Sequence, residues 1–408
     1  MRKANILSTE RIYEELLSLP ELVVDRVDLS SKRVDISCHS RLGEGICPSC
    51  LSKCHRVNQT HERTVQDLAL AGRKVYLHLS SRQWICDKCD RHFYESFSFL
   101  DSNATMTQRY EKFIYYRCIG VDLQYVVVHE DHCWQTVNRI FQKWSTKSLA
   151  SVNLFGDVRA IGIDEIALYK GRGNYVCVLV NLETGQVLDV LPDRTKAYLI
   201  DYFKALGDEF CQQIEVFSSD LWDGYVGAAE LCFPQADIVL DRFHFFGQLQ
   251  QALDHCRKAL RRDMPQDDSL KSLKWTLLRP AEKLSDTEIN TLQAIFEREE
   301  MAMLKEAYEA KENFRDILQQ DLTPKQAEAQ LEMWVEHYSL LGHPFLNKFL
   351  KTFHKWKSYI LNYFKERWSN GIVEGINNRI KMIKRRAFGF LKFKHFRLRI
   401  LVEFAQLH

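Results

Sequence analysis

Two short cysteine pairs, Cys47-Pro-Ser-Cys50 and Cys86-Asp-Lys-Cys89, constrain this chain more than any other feature. Between them runs KVYLHLSSRQWIC, whose apolar and polar residues alternate with the period of a half-buried strand. Two thiol knuckles joined by a β-ribbon supply the four soft ligands of a tetrahedral structural Zn²⁺. Cys38, Cys54, His55 and His92 lie close enough in sequence to replace one of them. The amino-terminal stretch MRKANILSTERIYEELL mixes charge with apolar residues, and no long apolar run follows. The chain therefore reads as soluble and cytoplasmic, where thiols serve as metal ligands or buried groups more often than as disulfides. Such a ribbon folds around its metal and could offer Arg82, Lys88 and Arg91 to a phosphate backbone.

At 408 residues the chain has room for several domains. Its ordinary composition, 46% hydrophobic with only 8 Pro, excludes a disordered or fibrous chain. The net charge of +2 hides an uneven distribution: residues 151–244 carry seven basic against fifteen acidic side chains, and residues 371–408 nine against two. An acidic middle and a basic end suit a cation-holding site beside a surface for a polyanion. Neither a GxGxxG nor a P-loop motif occurs, which argues against a nucleotide-binding fold.

Periodicity predicts a helix over 9–19, an alternating stretch over 22–36, and helices over 106–118, 123–129 and 133–144 with helix-turn-helix spacing. From residue 158 three strands follow, VRAIGID, NYVCVLVNL and QVLDVLP, separated by KGRG and an ETG turn. A helix over 196–206, a strand IEVFSSD, a helix over 225–231, a strand ADIVLD and a long helix from Phe243 complete an α/β pattern. Three strands followed by alternating helices and strands match a ribonuclease-H-like layout better than a doubly wound one. Residues 245–368 read as a helical insertion, with helices over 288–311 and 325–341, and the chain closes in a basic, aromatic segment. The domains expected are 1–100, 101–150, a catalytic core over 151–244, the helical insertion 245–368, and a final core helix and tail 369–408.

Several side chains stand where chemistry would need them. Asp164 in AIGIDE and Asp220 in VFSSDLWDGY are expected to end neighbouring strands and converge, a costly arrangement unless a cation lies between them. Asp223 is an alternative to Asp220. Asp241 closes the last strand and His244 follows one helical turn later, so both could face that cluster. Glu374 opens a helix otherwise rich in cations, Arg379, Lys381, Lys384, Arg385 and Arg386, which suggests metal and phosphate contacts side by side. Phe388, Phe390, Phe393 and Phe396 are expected to pack this segment on the core and leave its cations outward. Thr136, Asn138, Arg139, Gln142 and Lys143 fall on the expected outer side of a recognition helix, where such groups read base edges.

These motifs together resemble the ISL-three group of insertion-sequence transposases. The resemblance runs from the CPSC and CDKC ribbon through AIGIDE, SSDLWDGY and FPQADIVLDRFHF to SNGIVEGINNRIKMIKRRAFGFLKFKHFRLRIL. It implies a DDE triad of Asp164, Asp220 and Glu374 holding catalytic Mg²⁺ (or Mn²⁺), and an auxiliary D-x-x-H pair, Asp241 and His244. KWTLLRP matches the group's Leu-Leu motif. The implied activity is binding of terminal inverted repeats in double-stranded DNA, followed by strand cleavage and strand transfer by a homo-oligomer. Alternatives are a nuclease that cleaves without joining, or a zinc-dependent DNA-binding regulator without catalysis.

Overall fold

Two long strands organise the amino-terminal part of the computed structural model, which describes residues 8–169, 175–390 and 392–405. The chain divides into two compact units, Met1–Ala150 and Ser151–His408. In the first, β5 (Arg56–Leu70) and β6 (Arg73–Ile85) form a hairpin closed by Ala71 and Gly72. Both turn residues have positive φ, 50° and 76°, the two-residue geometry that matches strand twist. β1 (Leu22–Leu29) and β2 (Arg33–Ser40) pair antiparallel, and β2 joins β6 in parallel, giving the order β1-β2-β6-β5. Val75, Leu77 and Leu79 alternate along β6 onto one face, where they share a core with Val34, Ile36 and Cys38, capped by Leu17 of α1 (Thr9–Leu17).

The far end of the hairpin leaves that core. There β3 (Gly45–Ile46), β4 (Lys53–Cys54) and β7 (His92–Tyr94) gather around buried Trp84, with Cys47, Cys54 and Cys86. A Cβ on Gly45 would come within 2.7 Å of the Trp84 ring, so only glycine permits this approach.

Three helices follow: α2 (Gln108–Cys118), α3 (Leu123–Glu130) and α4 (Trp134–Leu149). Thr107 and Asp122 cap the first two through their side chains. The third runs five residues beyond the expected end, because Ser145 is buried and the apolar stripe of Val137, Ile140 and Phe141 continues to that depth.

In the second unit β8 (Ala160–Ala167), β9 (Tyr175–Asn181) and β10 (Val187–Leu191) meander antiparallel. On the other side of β8, β11 (Val216–Ser219) and β12 (Asp237–Leu240) add in parallel, giving the order β10-β9-β8-β11-β12. β9 and β10 are buried along almost their whole length, as expected of strands covered on both faces. The KGRG turn lies at 170–173, outside the described residues. α5 (Lys196–Ala205) and α6 (Asp208–Gln213) lead into β11, and α7 (Asp223–Cys232) crosses to β12.

β8 continues three residues past Asp164, contrary to the expectation that this residue ends its strand. β11 stops pairing with β8 at Gly162, but β9 accompanies β8 as far as Ala167. Asp164 therefore lies inside a strand, just beyond the reach of its parallel neighbour.

A helical block follows: α8 (Arg242–Asp263), α9 (Ser269–Ser272), α10 (Lys274–Leu278), α11 (Asp286–Phe296), α12 (Ala302–Gln319), α13 (Pro324–Leu340) and α14 (Asn347–Glu366). The single helix expected over 288–311 is broken at 297–301, where Arg298 pairs with Asp267 and Glu300. No proline or glycine marks this break in the sequence. α15 (Gly371–Arg386) and α16 (Phe393–Ala405) return to the sheet, α15 against β8 and α16 against β10. Among the described residues no helix is long and apolar enough to cross a membrane.

Candidate functional site

The four paired cysteines meet at one point. Cys47 and Cys89 Sγ lie 3.5 Å apart, Cys50 and Cys86 Sγ 3.4 Å, and all four sulfurs fall within 4.8 Å of one another. Tetrahedral Zn–S bonds of about 2.3 Å require sulfurs roughly 3.8 Å apart, so the cluster fits a structural zinc. The two knuckles repeat one geometry. Leu51 N donates to Cys47 O and Asp90 N to Cys86 O, and both donors have positive φ. Hydrogen bonds from Ser52 draw the Cys50 thiol down to about 6, which favours the ligating thiolate. The alternatives stay outside the cluster. Cys38 is a core thiol pushed up to about 12 by burial, Cys54 bonds to Ser52 O, and His55 and His92 are exposed. Of the cations expected beside the ribbon, Arg82 pairs with Glu95, Arg91 meets Ser49, and Lys88 is exposed.

On α4, Arg139 and Lys143 both reach Glu111 of α2, whose side chain is 2% exposed, and Lys143 also pairs with Asp101. Gln142 donates to Asn138 Oδ1 at 3.1 Å, and Thr136 meets Cys133 Sγ at 3.2 Å. Both cations on this face therefore hold the helices together. Arg139 stays exposed while making its ion pair, and the other exposed side chains of α4 are Trp134, Gln135, Thr146 and Lys147.

In the second unit, strand ends and one helix start assemble an acidic cluster. Asp220 follows β11 directly, Asp241 follows β12 and caps α8, and His244 stands one turn along α8. His244 Nδ1 lies 2.9 Å from Asp220 Oδ2, and its Nε2 lies 3.9 Å from Asp241 Oδ2. The hydrogen bond to Asp220 raises His244 to about 9. Asp164 joins from β8, raised to about 6 by burial and then by the charge of Asp220; burial also raises Asp241. Asp223 sits at the start of α7 in an ion pair with Lys355 of α14 and takes no part. Asp220 Oδ1 and Asn377 Oδ1 are buried without a hydrogen-bond partner. Oxygen donors, mutual repulsion and orphaned acceptors are what a hard divalent cation would satisfy.

α15 closes this cluster. Asn377 Nδ2 donates to Asp164 Oδ2 at 2.6 Å, and Asn370 Nδ2 donates to Ile163 O at 3.2 Å. Glu374 falls between them at helical spacing, with its side chain exposed and in no ion pair among the described residues. The two asparagines were not singled out in the sequence, although the i, i+4, i+7 spacing of Asn370, Glu374 and Asn377 is visible there.

In the second half of α15 and after it, the basic segment departs from expectation. Arg386 and Arg399 pair with buried Glu403, Arg379 donates to its carbonyl, and Arg397 binds Asp189 through Nε and Nη2. Lys384 donates to Ala167 O at 2.6 Å. Lys381, Arg385, Lys392 and Lys394 remain exposed. Phe396 is buried and Phe390 packs on it, whereas Phe388, at φ 53° beside Gly389, is 95% exposed. The turn carries Phe388 away from the core.

The Leu-Leu motif also serves the interior. Leu277 is buried in the helical block, and buried Lys311 donates to Leu277 O and Arg279 O.

Comparison with known proteins places these features together. Residues 161–400 match the ISL3 family of DDE transposases, and residues 43–89 match the zinc-finger of transposases IS204/IS1001/IS1096/IS1165. The chain is 27% identical over 364 residues to the transposase for insertion sequence element IS1001 of Bordetella parapertussis, covering 88% of each chain. It is 25% identical over 282 residues to the transposase for insertion sequence element IS1557 of Mycobacterium tuberculosis, covering 63% of this chain and 62% of that one. With a family match over more than half its length and a cysteine cluster that fits the family's zinc ribbon, the chain belongs to the ISL3 family of insertion-sequence DNA transposases, enzymes that cleave and transfer DNA.

Proposed function

We propose that Asp164, Asp220 and Glu374 form the catalytic triad of a ribonuclease-H-like core. The observation that carries this reading is the meeting of Asp164 and Asp220 from adjacent parallel strands, close enough that burial and mutual repulsion raise Asp164 to about 6 while Asp220 Oδ1 stays unpaired. The strand order β10-β9-β8-β11-β12 supports the fold assignment. Glu374 completes the set from the face of α15 that also carries Asn370 and Asn377. Mg²⁺ or Mn²⁺ held by these carboxylates supplies Lewis-acid stabilisation and activation of the attacking oxygen in phosphoryl transfer. Attack of water on a phosphodiester forms one P–O bond and breaks the opposite one, releasing a 3′-hydroxyl that attacks target DNA in turn. His244, positively charged at neutral pH, holds Asp220 through Nδ1 and keeps a proton on Nε2 for a departing oxygen. Asp241 orients His244.

The zinc ribbon and helices α2–α4, read as a helix-turn-helix domain, recognise the terminal repeats. Exposed Lys381, Arg385, Lys392 and Lys394 add phosphate contacts, and two or more copies assemble on DNA inside the bacterial cell. The test is cleavage and binding by isosteric variants. Asp164→Asn, Asp220→Asn and Glu374→Gln should each abolish strand cleavage and retain repeat binding, while Asp223→Asn cleaves normally. Undiminished cleavage by the three triad variants would overturn the assignment.

A further inference from the structure

Beside the acidic cluster lies an aromatic feature that the chemistry above does not use. Trp222, two residues after Asp220, leaves its indole 41% exposed at the start of α7. The Arg194 guanidinium lies 4.6 Å from the centre of that ring and 5.2 Å from the Tyr175 ring, itself 38% exposed. Arg194 is paired with Glu165, the neighbour of Asp164. The platform is thus tied through one residue to each of two carboxylates of the cluster.

The indole is also held in place. A Cβ on Gly224 would come 3.0 Å from Trp222 Cδ1 and closer still to Nε1, so the ring lies on bare backbone that any side chain would displace. A large exposed aromatic fixed this way costs apolar surface in water and has no core to fill. The surroundings limit what can cover it. With fifteen acids against seven bases in residues 151–244, this region repels phosphate except where a cation stands, and Arg194 is the cation in contact with the Trp222 ring. A nucleobase is neutral, presents a π-face whatever its identity, and stacks on indole and guanidinium planes alike.

Resting on the triad reading, we infer that Trp222, steadied by Arg194, stacks one unpaired nucleobase adjoining the cleaved phosphate. Trp222 is a positioning residue: the base leaves the duplex, the backbone opens beside the carboxylates, and Arg194 meets the phosphate that follows.

The experiment is a binding cycle between protein and DNA, using the full-length chain in the Asp164→Asn background so that no strand is cut. The probe is a duplex of the element's end, intact or with an abasic site placed in turn at each nucleotide flanking the cleaved phosphate. At one position the Trp222 protein should bind the abasic duplex about tenfold more weakly than the intact one, as expected for loss of one base–aromatic stack. Trp222→Ala should bind both equally, and Trp222→Tyr should recover most of the discrimination. Equal losses on every duplex, or no position at which the Trp222 protein discriminates, would overturn the proposal, and Trp222→Tyr decides the matter if the alanine variant fails to fold. Failure of the triad reading shows separately, as persisting cleavage by Asp164→Asn.

Discussion

Asn377 donates a 2.6 Å hydrogen bond to Asp164 across 213 residues of sequence, joining the last part of the core to its first strand. The bond fixes the rotation of α15 against β8, and with it the placement of Glu374 one turn earlier. A hydrogen bond to a charged partner contributes about 1.5–3 kcal/mol. Asn377→Ala should therefore lower unfolding stability by roughly that amount in denaturant titration and reduce cleavage. Asn377→Asp sets a second carboxylate at hydrogen-bond distance from Asp164 and should be rescued in stability by Mn²⁺, which the alanine variant should not match. An alanine variant as stable as the unsubstituted chain would contradict this role.

Zinc content separates ligands from bystanders in the ribbon. Cys86→Ser and Cys89→Ser should lose about one zinc per chain, because three thiolates leave the tetrahedral site open. Cys54→Ser should keep it, since this thiol is buried beside the cluster but bonds to Ser52 O. Metal analysis of the purified full-length variants reads the difference. Loss of zinc from Cys54→Ser with retention in Cys89→Ser would exchange their assignments.

Glu111 is buried beneath two cations, Arg139 and Lys143, and the Trp144 indole. Removing one partner from a buried pair commonly costs about 3–5 kcal/mol. Glu111→Ala should lie near that range in thermal or denaturant unfolding, and Arg139→Ala, half-exposed, well below it. Repeat specificity measured against random DNA should hardly change with Arg139→Ala and should fall with Gln135→Ala and Lys147→Ala on the exposed part of α4. The reverse pattern would return Arg139 to base reading.

Much of this was legible because short-range rules fixed it. The CxxC spacing determines its knuckles, since each pair closes a turn on its own backbone, and Asp220 and Asp241 follow buried strands that read plainly as apolar runs. What was not legible depends on partners distant in sequence. Asp164 is the nearer case: it stays within β8 because β9, the next strand, pairs with β8 as far as Ala167, and that register is not written in the segment around Asp164 alone. Arg139, Lys143, Arg379 and Arg386 look like solvated cations until Glu111 and Glu403 arrive from other helices. A helical pattern gives the face on which a charge lies but not the counter-charge opposite it. Asn370 and Asn377 escaped for a related reason: amide side chains carry no charge signal, and only the tertiary contact to β8 gives them a role.

Protons and divalent cations should compete for the acidic cluster. Asp164 is raised to about 6, so the folded chain holds that proton more tightly than the unfolded one. Its contribution to stability is fully present below about 3.8 and is lost as pH rises through about 6. His244, raised to about 9, contributes fully below about 6.5 and loses its contribution as pH rises through about 9. In the metal-free protein both groups therefore favour lower pH, His244 doing so across the neutral range. A cation bound to Asp164 and Asp220 Oδ1 must displace the Asp164 proton and is repelled by the charge of His244 on Asp220 Oδ2, and each proton released changes binding by about 1.4 kcal/mol per pH unit. The rise in melting temperature on adding Mn²⁺ should accordingly be smallest below pH 6 and grow toward pH 9. Asp220→Asn should lose that growth, because it removes both a ligand oxygen charge and the anion that raises His244. A rise independent of pH, or one that persists in Asp220→Asn, would place the cation elsewhere in the molecule.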